Sequence, residues 1–365
     1  MSAIYTNALI FTGDRILSDH AVVTDHHLIT GIVPASEYKG HPDVIDLEGG
    51  FMAPAFVDLQ VYGGNGSVFF LNPSVESLQA TYEASKAGGA AHIMPTLATI
   101  APEKVLLAIQ AVRDYWREGG RGVLGLHLEG PFINPVKKGA HLEKYIHPLT
   151  REDVNWILHH GKGVVKMITL APECCDPVLV KELQDAGITI FAGHSNATYA
   201  EAMAAFESGI HHVTHLFNAM SPLESRAPGL VGAVYNQPKI FASIVADGVH
   251  VDFATVSISH KIMDGRLFLI SDAAAENPEG DYVYIQEKDR YVNAAGVLAG
   301  SRLTMLQAVH NCVEKAGIPL HTALQMASLY PARALRLHTR LGRIETGYEA
   351  AFIVLRDHWD MTVYC

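Results

Sequence analysis

With 365 residues, 49% of them apolar and 18% charged, the chain has ample material for a large core and is too apolar to be disordered. A formal net charge of -11 argues against a broad nucleic-acid surface, although one local arginine or helix N-terminus can still hold a small anion. Cys174, Cys175, Cys312 and Cys365 form no Cys-x-x-Cys pair, which argues against a structural zinc site or a disulfide framework. The opening Met1-Ser-Ala-Ile-Tyr-Thr-Asn has no basic stretch before an apolar core, and no run reaches membrane-span length. The expected location is the cytoplasm, with no membrane partner.

In chain order, the short apolar pieces at 8–11, 21–23, 28–33 and 44–47 alternate with turns and predict short strands. The stretch 342–355 reads the same way. A small β-sandwich built from both termini, residues 1–53 and 336–365, is therefore expected around a central domain over 54–335. That middle carries eight apolar runs of strand length, at 55–61, 91–97, 123–129, 164–170, 188–194, 212–217, 241–247 and 267–272. Most connections are helical in pattern, as at 102–116 and 198–208, whereas 218–240 is rich in Pro, Gly and Asn and reads as a long functional loop. Eight strands alternating with helices predict a closed (β/α)8 TIM-type barrel. An open doubly wound sheet would want a Gly-rich phosphate loop after its first strand, and Tyr62-Gly-Gly-Asn-Gly-Ser does not match one.

Histidine is abundant, with 20 copies, and most need no function; His26-His27 and His159-His160 read as loop or helix-surface residues. Four of the eight strand ends, however, carry a strong metal-binding or proton-transferring side chain: Glu129, His194, His215 and Asp272. All strands of a barrel end on one face, so these four converge. Two imidazoles and one carboxylate are a ligand set for a catalytic divalent cation, with a further position left for water, and the cation would activate that water and polarise a scissile carbonyl. Asp272, outside that set, is placed to take the water's proton and pass it to a leaving nitrogen. His127 shares a strand face with Glu129 and is either a further ligand or a supporting contact; the complete ligand set favours the latter.

Two further segments read as substrate handling: the loop stretch containing Arg226, and Asp247-Gly248-Val249-His250 after the seventh run. Arg226 is equally readable as a solvated surface residue, and Lys137-Lys-Gly-Ala-His141 is similarly open.

These residues carry a family likeness. His127-Leu-Glu-Gly-Pro-Phe, Lys138-Gly-Ala-His, Ala192-Gly-His-Ser-Asn-Ala, Thr214-His-Leu-Phe-Asn-Ala-Met, Ala246-Asp-Gly-Val-His, Ile270-Ser-Asp-Ala and Leu298-Ala-Gly-Ser run in order across nearly the whole chain. In them the chain resembles the amidohydrolase superfamily and, within it, the N-acetylglucosamine-6-phosphate deacetylases. The resemblance implies metal ligation by Glu129, His194 and His215 and a proton shuttle at Asp272. It also implies sugar and phosphate contacts from Ala140, His141, Asn218, Ala219, Arg226, His250 and Leu298-Ala299-Gly300. A homodimer is implied, with Arg226 reaching the phosphate of the neighbouring subunit's substrate.

One departure matters. Much of the superfamily has His-x-His at the end of the first strand to hold a second metal, and here Gln60-Val-Tyr62 stands there. Neither side chain is a strong ligand at neutral pH, so one divalent ion per chain is expected. The donor set suits Zn2+, and Fe2+, Co2+ and Mn2+ fit similar sites. The chain also stops at Thr362-Val-Tyr-Cys365, where the family usually continues for a short strand, so the sandwich is trimmed or the chain shortened. The competing readings are a related hydrolase of another N-acyl substrate, such as N-acetylgalactosamine 6-phosphate or an N-acyl amino acid, and a non-catalytic barrel scaffold.

Overall fold

A computed structural model describes residues 2–365. Eight parallel strands make the central sheet in strict sequential order: β1 (Phe56–Val61), β2 (Ala90–Leu97), β3 (Leu126–Glu129), β4 (Val165–Leu170), β5 (Thr189–Ala192), β6 (His212–Val213), β7 (Phe241–Ile244) and β8 (Leu267–Leu269). Their residues are almost all buried, as expected of strands covered on both faces. The ring closes between the segment after β8 and the end of β1, where Asp272 N–H donates to Gln60 O at 3.0 Å and Tyr62 N–H to Ala273 O at 2.7 Å. Asp58 ties the same seam by accepting the Ser271 backbone N–H at 3.1 Å and the Ser271 hydroxyl. Burial pushes the Asp58 carboxyl up to about 6, against the pull of those bonds.

A helix follows each strand: α1 (Val75–Ala87), α2 (Pro102–Arg117), α3 (Arg151–His160), α4 (Pro177–Asp185), α5 (Tyr199–Glu207), α6 (Gly229–Asn236), α7 (Phe253–Met263) and α8 (Met305–Glu314). Their starts are written locally. Thr150 with Asp153 and Thr198 with Glu201 form capping boxes, Ser74 and Thr304 cap with their hydroxyls, and Pro102 and Pro177 occupy first-turn positions. Helix α6 corrects the expectation of a loop over 218–240. Residues 229–236 are helical and only 218–228 and 237–240 stay irregular, because Leu230, Val231, Ala233 and Val234 form a buried apolar run that packs the helix under α5.

Most strand-length runs are shorter than their apolar stretches suggest. Regular pairing stops at Ala192, Val213 and Leu269, and the chain turns sharply over the next few residues. Three short antiparallel strands, β9 (Ile285–Glu287), β10 (Arg290–Val292) and β11 (Leu298–Ser301), form an arm between β8 and α8.

The ends of the chain share one seven-stranded sheet, in which Val44–Pro54 lies between Ser2–Phe11 and Phe352–Leu355. Only 352–355 of the predicted 342–355 strand is extended; a second strand, Met361–Tyr364, lies on its far side. The sheet curls on itself, since Leu28 bridges Glu349 and Ile29 N–H donates to Tyr348 O at 2.9 Å. Ile10, Val22, Leu47, Met52, Phe352 and Val354 fill its separate small core. No helix among the described residues is long and apolar enough to cross a membrane.

Candidate active site

The C-terminal mouth of the barrel opens on a cavity of about 290 Å3. Glu129 is the last residue of β3 and is 1% exposed. His194, His215 and Asp272 lie two to three residues beyond β5, β6 and β8 rather than within them. All three have left-handed backbone, with φ of 47°, 33° and 54°. Such backbone is costly for a residue with a Cβ, and here it turns three polar side chains inward at three strand exits. The turn at His215 is held by its N–H donating to Ser243 Oγ at 2.7 Å.

The side chains meet. His215 Nε2 lies 2.9 Å from Glu129 Oε1 and 3.1 Å from His194 Nε2, and His194 Nε2 is 3.3 Å from the same oxygen. Donors bound at 2.0–2.1 Å in a tetrahedron sit about 3.3 Å apart, so this spacing suits a small divalent cation. A second grouping, Glu129, His141 and His194, also has donor atoms within 4.8 Å of one another. Hydrogen bonding separates the two histidine roles. His194 Nδ1 faces Lys137 O at 2.8 Å; a carbonyl only accepts, so Nδ1 carries the proton and Nε2 offers a lone pair. His141 is the reverse. The Thr99 N–H donates to its Nδ1 at 3.2 Å, so the proton sits on Nε2, which points at Glu129 Oε2 from 3.4 Å. His141 is thus built as a donor, and Glu129, His194 and His215 remain as the residues able to hold a cation.

Electrostatics follow from burial. The site desolvates Glu129, yet the histidines bonded to it hold its carboxyl well below the usual range. Burial lowers His194 to about 4, leaving the neutral imidazole that metal binding requires. Burial also pushes Asp272 up to about 7, helped by the negative charge of Glu129. Gln60 Nε2 links the two carboxylates, donating to Asp272 Oδ1 at 2.7 Å and Glu129 Oε1 at 2.9 Å. The Tyr62 hydroxyl donates to Glu129 Oε2. The Gln60-x-Tyr62 pair therefore fills the ground beside the carboxylate with hydrogen-bond donors. His127 lies outside the cluster: its Nε2 is 2.7 Å from Thr169 Oγ1 and its Nδ1 3.3 Å from Thr96 Oγ1, so both nitrogens are occupied deeper in the barrel.

Of the other residues singled out from the sequence, Ala140, His141, Asn218, Ala219, His250, Leu298, Ala299 and Gly300 line the cavity. Gly300 has φ 74°, and a Cβ there would meet Ala274 Cβ at 3.0 Å and Asp272 O at 3.2 Å, so the arm approaches the segment after β8 closely only with glycine. Asp247, Gly248 and Val249 do not reach the cavity. Asp247 instead accepts the Val249 and His250 N–H groups at 2.8 Å and holds His250 Nδ1 at 2.6 Å from Oδ2. Burial opposes protonation of His250, but this bond to Asp247 raises its pKa. Gly248, with φ 79°, permits the tight turn between them. Arg226 is exposed on the 218–228 segment and lies outside its own chain's cavity. Tyr62, Tyr282 and Tyr284 line the cavity and were not assigned from the sequence. The alternation Tyr282-Val-Tyr284 was the available signal, because i and i+2 share a face of extended chain.

A parallel eight-stranded barrel with a carboxylate, two imidazoles and a buried aspartate at its C-terminal mouth defines a cation-binding hydrolase class. The chain belongs to the amidohydrolase family, whose pattern matches residues 51–363; residues 3–52 match the NagA composite domain. Among curated relatives, an N-acetylglucosamine-6-phosphate deacetylase of Haemophilus influenzae is 36% identical, covering 97% of this chain and 95% of its own length. An N-acetylgalactosamine-6-phosphate deacetylase of Escherichia coli O157:H7 is 31% identical, over 93% of each chain. The crystal structure of the N-acetylglucosamine-6-phosphate deacetylase from Pasteurella multocida superposes with a TM-score of 0.94 at 32% identity, covering 99% of this chain and 97% of that one.

Proposed function

We propose that this chain removes the acetyl group of N-acetylglucosamine 6-phosphate, giving acetate and glucosamine 6-phosphate. The observation that carries the chemistry is the opposed protonation of two neighbouring imidazoles, His194 offering a lone pair and His141 a proton, on either side of Glu129. The substrate is supported by the near-full-length likeness to deacetylases of phosphorylated amino sugars.

Glu129, His194 and His215 would hold one divalent cation, for which two nitrogens and one oxygen suit Zn2+ and also accommodate Fe2+, Co2+ or Mn2+. When bound, the cation supplies Lewis acidity and lowers the pKa of water in the site. Asp272 takes the proton from the attacking water and delivers it to the amide nitrogen as the C–N bond breaks, so that the leaving group departs as a neutral amine. Its raised pKa fits a group that must both gain and lose a proton near neutrality. His141 Nε2–H donates to the acyl oxygen as negative charge gathers there. Ala140, Asn218, Ala219, His250 and Leu298–Gly300 would contact the sugar. Exposed Arg226, which does not line its own chain's cavity, fits a homodimer in which Arg226 of the partner subunit binds the phosphate. The expected setting is cytoplasmic amino-sugar breakdown.

The test is acetate release from N-acetylglucosamine 6-phosphate and from unphosphorylated N-acetylglucosamine, by metal-stripped protein before and after one equivalent of Zn2+. Cation-dependent turnover of the phosphorylated sugar alone is expected. Equal turnover of both would remove the phosphate site. Faster turnover of N-acetylgalactosamine 6-phosphate would reassign the sugar, and no turnover of any would overturn the reading.

A further inference from the structure

Tyr282, at the base of the β9–β11 arm and three residues before β9, turns its side chain back into the barrel mouth. The Tyr282 hydroxyl donates to Thr99 O at 2.8 Å, lies 2.8 Å from Thr99 Oγ1 and accepts the Leu142 N–H at 3.2 Å. A phenol has one proton and two lone pairs, so these three bonds exhaust it and leave nothing for a substrate. The two residues it joins flank one imidazole: Thr99 gives its N–H to His141 Nδ1, and Leu142 is the next residue after His141. The phenol ring is fixed by Phe70, whose ring stands edge-on at 5.1 Å, and by Tyr284, stacked at 6.4 Å. Tyr282 is buried, so losing any of these bonds would strand a polar group out of water.

We infer that Tyr282 is a positioning residue for His141: the arm clamps the 98–101 and 138–146 segments so that Thr99 N–H keeps His141 protonated on Nε2 and aimed at the acyl oxygen. Docking of the arm and assembly of the donor are one event. The arm also carries Leu298–Gly300, so the element that closes over the sugar is the element that sets the proton donor. This rests on the deacetylase reading for the role of His141, and extends it to a residue outside the reacting groups.

The test is a double-mutant cycle in the full chain. Tyr282→Phe should lower kcat on the acetylated substrate roughly 10- to 100-fold, as loss of a supporting hydrogen bond typically does, with KM and bound cation little changed. His141→Gln should cost on the order of 100- to 1,000-fold. Adding Tyr282→Phe to His141→Gln should cost nothing more, because the two act as a unit. Thr99→Ala, which removes one of the three bonds, should repeat the pattern at smaller amplitude if Tyr282→Phe folds poorly. On an N-trifluoroacetyl substrate, whose carbonyl is already electrophilic, the Tyr282→Phe loss should shrink. An equal loss in both His141 backgrounds, or a loss confined to KM or cation content, overturns the inference. Independently of turnover, 15N NMR of the His141 ring should show Nε2–H in the parent and a tautomer mixture in Tyr282→Phe; an unchanged ring also overturns it. Failure of acetate release by the parent overturns the deacetylase reading instead, and the ring spectrum still reports on Tyr282.

Discussion

Gln60 on β1 and Asp272 beyond β8 are joined twice across the line where the barrel closes, by Asp272 N–H to Gln60 O at 3.0 Å and by Gln60 Nε2 to Asp272 Oδ1 at 2.7 Å. The backbone bond completes the ring of strands and the side-chain bond aims the carboxylate. Gln60→Leu keeps the first and removes the second, leaving Asp272 Oδ1 and Glu129 Oε1 without their shared donor. The expected result is a 10- to 100-fold fall in kcat/KM and weaker cation retention, of the size typical for such supporting contacts. Steady-state kinetics and metal analysis after dialysis check it.

Asp272→Asn should remove proton transfer while sparing the cation donors. Turnover is expected to fall at least about 100-fold, the lower end for a positioned acid–base group, with one equivalent of cation still bound. Substantial residual activity would place the shuttle elsewhere.

Asp247→Asn leaves an oxygen for the two backbone N–H groups but removes the charge beside His250. Since the Asp247 bond raises the His250 pKa against burial, its loss moves that imidazole's deprotonation to lower pH. In the parent, KM for the phosphorylated sugar should climb as pH passes above the His250 value. In the variant the climb should begin at lower pH. KM measured across the neutral range reads the shift.

Stability should respond to acid through Glu349, at the opposite end of the barrel. Its carboxylate meets His92 Nε2 at 3.0 Å and Arg340 Nη1 at 2.7 Å. Burial resists the charge, yet these partners hold its pKa below the ordinary carboxylate value. Its unfolded pKa is about 4.3, so the stabilisation is fully present above that pH and is lost as pH falls through the depressed folded value. Glu349→Gln should cost about 1–3 kcal/mol at neutrality and flatten the acid limb, read from urea midpoints at several pH values.

If Arg226 of the partner subunit completes the site, as proposed, mixing an Arg226→Ala chain with an Asp272→Asn chain should restore part of the activity, because a mixed dimer would then contain one site with both an intact Asp272 and an intact arginine. No rescue would place Arg226 outside the neighbouring site.

Much of this was legible in the chain itself, for a physical reason. Strands buried on both faces have no use for Glu129, His194, His215 or Asp272 at their ends, so chemistry stands out against an apolar background. The backbone that aims them was not legible, because the left-handed turns at His194, His215 and Asp272 follow strands shorter than their apolar runs. Helix α6 hid behind Pro and Gly on the segment before it. His141 was visible as a polar residue near the site, but its protonation is dictated by Thr99 N–H, a backbone group that every residue type except proline possesses. The part played by Tyr62 was equally hidden, since its hydroxyl meets Glu129 only once β1 and β3 are curved into a barrel.

The pairing of Val44–Pro54 with Phe352–Leu355 carries a consequence for biogenesis. The ribosome makes one partner before the barrel and the other after it. Throughout elongation the early strand must wait with one flank open, while the catalytic unit between them can already ring-close at Asp272. A nascent chain stalled late in synthesis would therefore present a sticky edge beside an otherwise finished enzyme, the kind of surface that chaperones grip and that seeds aggregation.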